Sequence, residues 1–228
     1  MLSDPLPTTT ATPLSDRSGV TDAVRVQILA TEHWSLLATR SMTWNEVFTR
    51  ASMYITVLSA AVVALALVAQ VTAFGPAFRV FALLVLPVVL LVGIATMIRL
   101  GEANADDFGL VAAMNRLRHA YLELAPELEP YFATEHHDDL TSVMRSYTLG
   151  SRAQPSRIFA ATPTLVSIIN VVVVGVLAAL IADTMAAPEA VTVVAGVTAG
   201  MVAAAGLGAV AALSIARGRR THISRFPR

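Results

Sequence analysis

The chain has 228 residues, of which 55% are hydrophobic and 14% charged, and its formal net charge is zero. The absence of cysteine excludes disulfides, thiol catalysis and cysteine metal sites. No P-loop, GxSxG or Rossmann fingerprint is present, so we expect a protein that is not an enzyme, holds no cofactor and binds no nucleic acid.

Four uncharged apolar runs determine the predicted fold class. They cover residues 51–78, 80–98, 158–182 and 190–216. Each is close to or above the roughly 20 helical residues that cross a hydrocarbon core. Because an isolated run can satisfy its backbone in lipid only as a helix, we predict an all-α integral membrane protein. Four transmembrane helices would form two hairpins, with short outer turns around Gly75-Pro76 and around Pro188, and with a small cytoplasmic helical subdomain.

The segment before the first run predicts a tail and an amphipathic helix. Residues 1–20 are rich in Thr, Ser, Pro and Asp, which is typical of disorder. Residues 21–50 carry an apolar stripe at helical spacing that includes Trp34 and Trp44, as expected at a membrane interface. A capping-box pattern predicts that a new helix begins near Thr43. The interfacial helix either senses or gates, or it packs as an anchor.

The two hairpins, residues 51–100 and 158–216, are separated by a polar segment at 101–157. There, helical periodicity continues from the second run up to Pro126, and Pro130 then allows only a short turn. Another helix is predicted to open at Thr134 or Glu135 and to end at Gly150. The stretch between the second and third runs, residues 99–157, holds nine acidic residues against six arginines, which makes it a candidate docking site for a protein partner.

Arginine distribution predicts the topology. Fifteen of the sixteen arginines precede the first run, lie between the second and third, or follow the fourth; Arg79 is the exception. The positive-inside rule therefore places both termini and the middle segment in the cytoplasm. We expect the protein to lie in a bacterial inner (plasma) membrane. The basic tail at 217–228 is a topology signal that either contacts anionic lipid or docks on the acidic segment of its own or a neighbouring chain. The candidate lipid-contacting residues are Arg217, Arg219, Arg220 and Arg225.

Small residues on the fourth run predict a close helix–helix contact. Gly196 and Gly200 form a GxxxG pattern, and Ala203 and Gly208 continue it. Such residues let helix backbones approach closely in lipid. The contact lies either within one chain or between chains of a homo-oligomer.

Few polar residues fall inside the apolar runs, and no ionisable side chain lies well inside one. That pattern argues against a proton-driven transporter. Gln70 and Asn170 remain candidates either for lining a pore or for joining helices through an amide hydrogen bond.

The residues 135–139 combine two histidines with three acids, and His136, His137 and Asp138 are weak metal candidates. Adjacent residues on a helix diverge by about 100°, so only some of them could converge. His119 and Glu123 share a helix face, but no HExxH motif is present. We expect no metal here, and instead a solvated acidic helix start.

Three stretches carry a family resemblance: residues 32–40, 114–121 and 126–132. Together they resemble an uncharacterised family of bacterial integral membrane proteins over roughly residues 30–150, a resemblance that implies no activity. The arrangement of an amphipathic helix, a two-helix hairpin and cytoplasmic helices also resembles the SLATT type of pore-forming effector domain.

These features favour a homo-oligomeric membrane assembly, with an ion-conducting pore as its most specific form. The alternative is an accessory or scaffold subunit of a larger membrane complex. A metal-dependent enzyme that uses the region of His136 and His137 is the weakest class.

Overall fold

The computed structural model of the protein describes residues 20–148 and 162–228. About 87% of these residues are helical, and none of them lies in a strand. Four helices are long and apolar enough to cross a membrane, which confirms the predicted class of an all-helical membrane protein. The helices are α1 (Asp22–Thr72), α2 (Pro76–Leu124), a 3-10 helix (Pro126–Tyr131), α3 (Leu140–Thr148), α4 (Thr162–Thr184) and α5 (Glu189–Thr221). Residues 1–19 and Gly150, for which a tail and a helix end were predicted, lie outside the described residues.

Helix α1 is continuous over 51 residues, so the prediction of a new helix near Thr43 is wrong. No glycine or proline interrupts it. Glu46, which a capping box would turn back to the backbone of Thr43, instead accepts hydrogen bonds from Arg50 and Arg99, both at 2.9 Å. With no glycine or proline to break it, the helix continues from the amphipathic segment into the first apolar run.

The turns between the long helices fall where glycine and proline predicted them. After α1 ends, Ala73 and Phe74 adopt left-handed backbone angles, with φ of 47° and 59°. The Gly75 N–H then donates to the Thr72 carbonyl at 2.8 Å, and Pro76 begins α2. A third left-handed residue, Ala186, lies between α4 and α5. Helix α2 ends two residues before Pro126, because the residue preceding a proline disfavours helical angles.

The described chain divides into two compact units. The polar unit contains residues 20–42, 104–148 and 217–228, and the apolar unit contains residues 43–103 and 162–216. The polar unit has its own small core, in which Val111, Ala112, Met114 and Val143 are buried. The core of the apolar unit is built from α1, α2 and α4, with Tyr54, Val89 and Val166 among its most buried side chains.

Helix α3 begins at Leu140, not at Thr134 or Glu135 as predicted. The Asp139 carboxylate accepts hydrogen bonds from the backbone N–H groups of Thr141 and Ser142 at 3.0 and 3.2 Å. Asp139 therefore acts as the N-cap, because its side chain satisfies donors that the first helical turn leaves unpaired. The residues from 132 to 139 are non-helical, which changes how their side chains are directed.

Candidate functional site

The polar unit is organised around the carboxylate of Asp138, whose side chain is 0% exposed. Its Oδ1 accepts from the Ser224 hydroxyl at 2.6 Å and from the Phe226 N–H at 2.8 Å. Its Oδ2 accepts from the Arg225 N–H at 3.0 Å and from Arg116 Nε on α2 at 2.5 Å. The residues after α5 thus dock on the acidic segment of their own chain, one of the destinations that the sequence left open.

These hydrogen bonds determine the charge of Asp138. Burial by itself disfavours a carboxylate, but the donors from Arg225, Ser224, Arg116 and Phe226 together outweigh it and hold the pKa of Asp138 at about 2. The group is therefore ionised at neutral pH. The segment is fixed further by its backbone, since the Asp138 N–H donates to the Phe226 carbonyl at 3.3 Å.

Beside this carboxylate, three histidines converge. His119 comes from α2, and His136 and His137 come from the non-helical segment before α3. One ring nitrogen of each lies within 4.8 Å of a ring nitrogen of the other two. The sequence instead grouped His136 and His137 with Asp138, whose side chain is turned to the C-terminal segment. Two adjacent histidines can converge because the backbone that carries them is not helical.

Helix α2 positions this histidine cluster (His119, His136 and His137) through residues one turn apart. Asn115 and His119 are four residues apart and share a face of α2. The side-chain amide of Asn115, which is fully buried, donates to the His137 carbonyl at 2.8 Å. The ring of Phe226 stacks on His119 with 4.5 Å between centroids. Helix, loop and C-terminal segment therefore meet at the cluster.

The cluster is short of hydrogen-bond partners. The Nδ1 atoms of His119 and His137 are buried and have none among the described residues. Burial lowers the pKa of His119 even though Glu123 lies nearby, and burial together with the neighbouring His137 lowers the pKa of His136. Both imidazoles are therefore neutral at pH 7. A cavity of about 340 Å³ opens beside His136 and His137 and is also lined by charged residues: Glu129, Glu135, Arg145 and Arg228.

A second polar cluster in the same unit is internally satisfied. Asp107 is buried and accepts from Arg40 Nε at 2.6 Å and from the Tyr147 hydroxyl at 2.7 Å. Burial and the hydrogen bond to Asp107 raise the pKa of Tyr147, so the phenol stays protonated. Every group in this trio has a partner, and it ties α1, α2 and α3 together.

In the apolar unit, Asn170 lies at a three-helix contact. It is 3% exposed, and its Oδ1 accepts from the Tyr54 hydroxyl at 2.9 Å. A Cβ at Gly93 would lie 2.0 Å from that Oδ1, so α2 approaches this pair as closely as a glycine permits. Asn170 therefore joins helices within one chain. Gln70, the other polar candidate, is exposed near the end of α1.

The glycine contact also lies within one chain. A Cβ at Gly196 would be 3.0 Å from the carbonyl oxygen of Gly175 on α4, and one at Gly200 would be 3.6 Å from that of Val171. Ala203 is half-buried. A Cβ at Gly208 would meet no atom within 4 Å. The first part of the small-residue face thus packs on α4, whereas the part around Gly208 does not.

The arginines predicted to contact lipid fall into different settings. Arg217 lies in α5, Arg225 joins the Asp138 network through its backbone, and the side chains of Arg219 and Arg220 lie outside the described residues.

One ion pair was not foreseen from the sequence. Arg79 Nε, near the start of α2, lies 2.9 Å from Asp183 Oδ2, near the end of α4, without the alignment of a good hydrogen bond.

No protein-family model, curated protein or solved structure matches this chain. Sequence reasoning noted His119 but did not join it to His136 and His137, and it missed the burial of Asp107, Asn115 and Asp138. The available signal was local: Asn115 and His119 repeat at helical spacing beside apolar residues of α2, although their partners lie far along the chain.

Proposed function

We propose that the protein is a non-enzymatic, four-span membrane protein that forms a homo-oligomeric assembly. The observation that carries the proposal is the small-residue face of α5 beyond its contact with α4. Only 6% of the most apolar stretch of α5 is buried, against 28% for α2, and a Cβ at Gly206 or Gly208 would meet no atom within 4 Å. A second copy of the chain can pack there, because small residues favour helix association in lipid.

The same proposal includes a topology. The protein lies in a bacterial inner membrane, with both termini and the polar unit in the cytoplasm. The apolar helices cross the membrane as two hairpins. Two features support this arrangement: fifteen of the sixteen arginines lie in the segments assigned to the cytoplasm, and most of those segments belong to the polar unit. In this arrangement, anionic lipid headgroups contact four arginines of the C-terminal segment: Arg217, Arg219, Arg220 and Arg225.

An ion-conducting pore is the most specific form of the assembly and the one that the resemblance to SLATT-type domains favours. Asn170 is engaged by Tyr54 within the chain. Gln70 is exposed and is therefore a polar side chain available to a lumen between subunits. If the assembly conducts, liposomes that carry it pass ions, and Gln70→Leu changes the flux.

The alternative function is an accessory or scaffold subunit of a larger membrane complex. Acidic side chains of the polar unit face solvent and offer a docking surface for a basic partner, among them Glu127 and Glu129. In that case the free face of α5 contacts a different protein, and the purified chain is monomeric.

The deciding experiment is the mass of the purified protein in mild detergent, measured for the wild type and two glycine variants. Gly208→Leu places a large side chain on the unpacked face and should yield a smaller species whose helices remain folded. Gly196→Leu is the matched contrast: it collides with Gly175 in the same chain and should lower stability in any assembly state. A monomeric wild type, or a Gly208→Leu variant with an unchanged oligomer, would overturn the assembly and make the accessory subunit the better reading.

A further inference from the structure

We propose that His119, His136 and His137 bind a Zn²⁺ ion that fastens the loop before α3 to helix α2, next to the docked C-terminal segment. This inference concerns the polar unit alone and is independent of the proposed assembly.

The donor set and its spacing fit such an ion. In a tetrahedral site with Zn–N bonds of about 2.0–2.1 Å, ligand nitrogens lie about 3.4 Å apart. The three ring nitrogens already lie within 4.8 Å of one another, so the set has to contract by at most about 1.4 Å. Two of the histidines are on an irregular loop segment, where small side-chain rotations supply that movement.

The histidine rings also lack what an ion would provide. The buried Nδ1 atoms of His119 and His137 have no hydrogen-bond partner among the described residues, and leaving a polar atom buried and unpaired is unfavourable. A metal ion bound at these atoms would give them a partner, since imidazole coordinates metals through a ring nitrogen.

The groups around the histidine cluster are of the kind that support metal-binding histidines in proteins. Glu123 Oε1 lies 3.6 Å from His119 Nε2, which places a carboxylate beside the nitrogen opposite the orphaned Nδ1. Such a carboxylate typically orients a metal-bound histidine. Asn115 holds the His137 carbonyl on the same helix. The adjoining cavity, which carries Glu129 and Glu135, leaves room for water or a carboxylate as the fourth ligand.

Zn²⁺ fits these donors better than the harder divalent cations do. Imidazole suits zinc and its neighbours among the transition metals, whereas Mg²⁺ and Ca²⁺ take oxygen ligands. Three histidines leave a fourth position open. The ion also affects the C-terminal segment, because the ring of Phe226 stacks on His119.

The test uses the full chain, purified in detergent without a histidine tag, stripped with chelator and titrated with Zn²⁺ or with Co²⁺ as a visible probe. We expect one ion per chain and the absorption of tetrahedral Co²⁺. His119→Ala and His137→Ala should each weaken binding by about a hundredfold or more, as losing a direct ligand should cost at least as much as losing its outer partner. His33→Ala is the matched control, because His33 stacks on Tyr121 outside the cluster. The affinity of this variant for Zn²⁺ should equal that of the wild type.

A second readout separates binding at the cluster from unfolding of the variants. Zn²⁺ should slow amide exchange in residues 132–139 and 222–228 of the wild type and of His33→Ala, and leave it unchanged in His137→Ala. Circular dichroism confirms that each variant is folded before titration. The proposal is overturned if the stripped wild type takes up no Zn²⁺ at micromolar concentration. It is equally overturned if folded His119→Ala and His137→Ala bind it as tightly as His33→Ala does.

Discussion

At the scale of single residues, the apolar unit depends on one contact that leaves no spare room. Tyr54, Gly93 and Asn170 come from three helices, and the tyrosine hydroxyl donates to the asparagine oxygen. Their packing makes Gly93 the most sterically constrained glycine among those described, since any larger residue collides with the Asn170 side chain. The close approach of α2 to Tyr54 and Asn170 therefore requires glycine at position 93.

Gly93→Ala should destabilise the protein by about 1–3 kcal/mol, because the new methyl group forces the buried pair or the backbone to shift. A Cβ there would lie 2.0 Å from Asn170 Oδ1 and 2.9 Å from Tyr54 Cζ. The measurement is the free energy of unfolding in detergent, with the thermal midpoint as a second probe.

Gly101→Ala is the control, since it lies in the same helix and a Cβ there meets nothing within 4 Å. It should be neutral or stabilising by up to about 1 kcal/mol through higher helix propensity. Combining Gly93→Ala with Asn170→Ala should recover part of the loss. Equal stability of the two single variants would show that Gly93 is not a close contact.

At the scale of secondary-structure elements, local capping patterns predicted helix boundaries less well than helix breakers did. The pattern at Thr43 lies inside α1, whereas Pro76 and Pro126 mark real ends. A capping box is a short motif that also occurs within helices, whereas proline removes a donor and restricts the preceding residue. Proline does not always end a helix, since Pro87 lies inside α2. For α3, the residue that starts the helix is Asp139, which sequence reasoning treated as one of several solvated acids.

Asp139→Ala should destabilise α3 by about 0.5–2 kcal/mol, since the N–H groups of Thr141 and Ser142 lose their acceptor. Amide exchange in residues 140–148 would report the change directly. Thr134→Ala, at the predicted but unused start, should leave that exchange unaltered. If Thr134→Ala had the larger effect, the helix would begin earlier in solution than the structure places it.

At the scale of the whole molecule, the chain has no cysteine, which makes its topology easy to map. Single cysteines at exposed positions leave the hydrophobic cores intact. Suitable sites are Phe74 and Met185 between the long helices, and Glu129 and Arg228 in the polar unit.

A membrane-impermeant thiol reagent applied to intact cells should label Phe74→Cys and Met185→Cys and spare Glu129→Cys and Arg228→Cys. The physical reason is the arginine asymmetry, which retains basic segments in the cytoplasm. Lysed cells should show labelling at all four positions. Labelling of Glu129→Cys from outside would reverse the proposed orientation.

The sequence by itself determined the class of protein, the four apolar helices and the turns around Gly75 and Pro188. Each of these depends on hydrophobicity, length or backbone restriction over a few neighbouring residues. Only the tertiary structure decided which polar groups meet. Asp138 binds Ser224, 86 residues away, and Tyr54 binds Asn170, 116 residues away. No local pattern encodes such pairs, because a buried polar group can accept any partner that the fold brings within hydrogen-bonding distance. The histidine cluster is a further case: His119 lies far from His136 and His137 in the sequence, and only the fold brings the three side chains together.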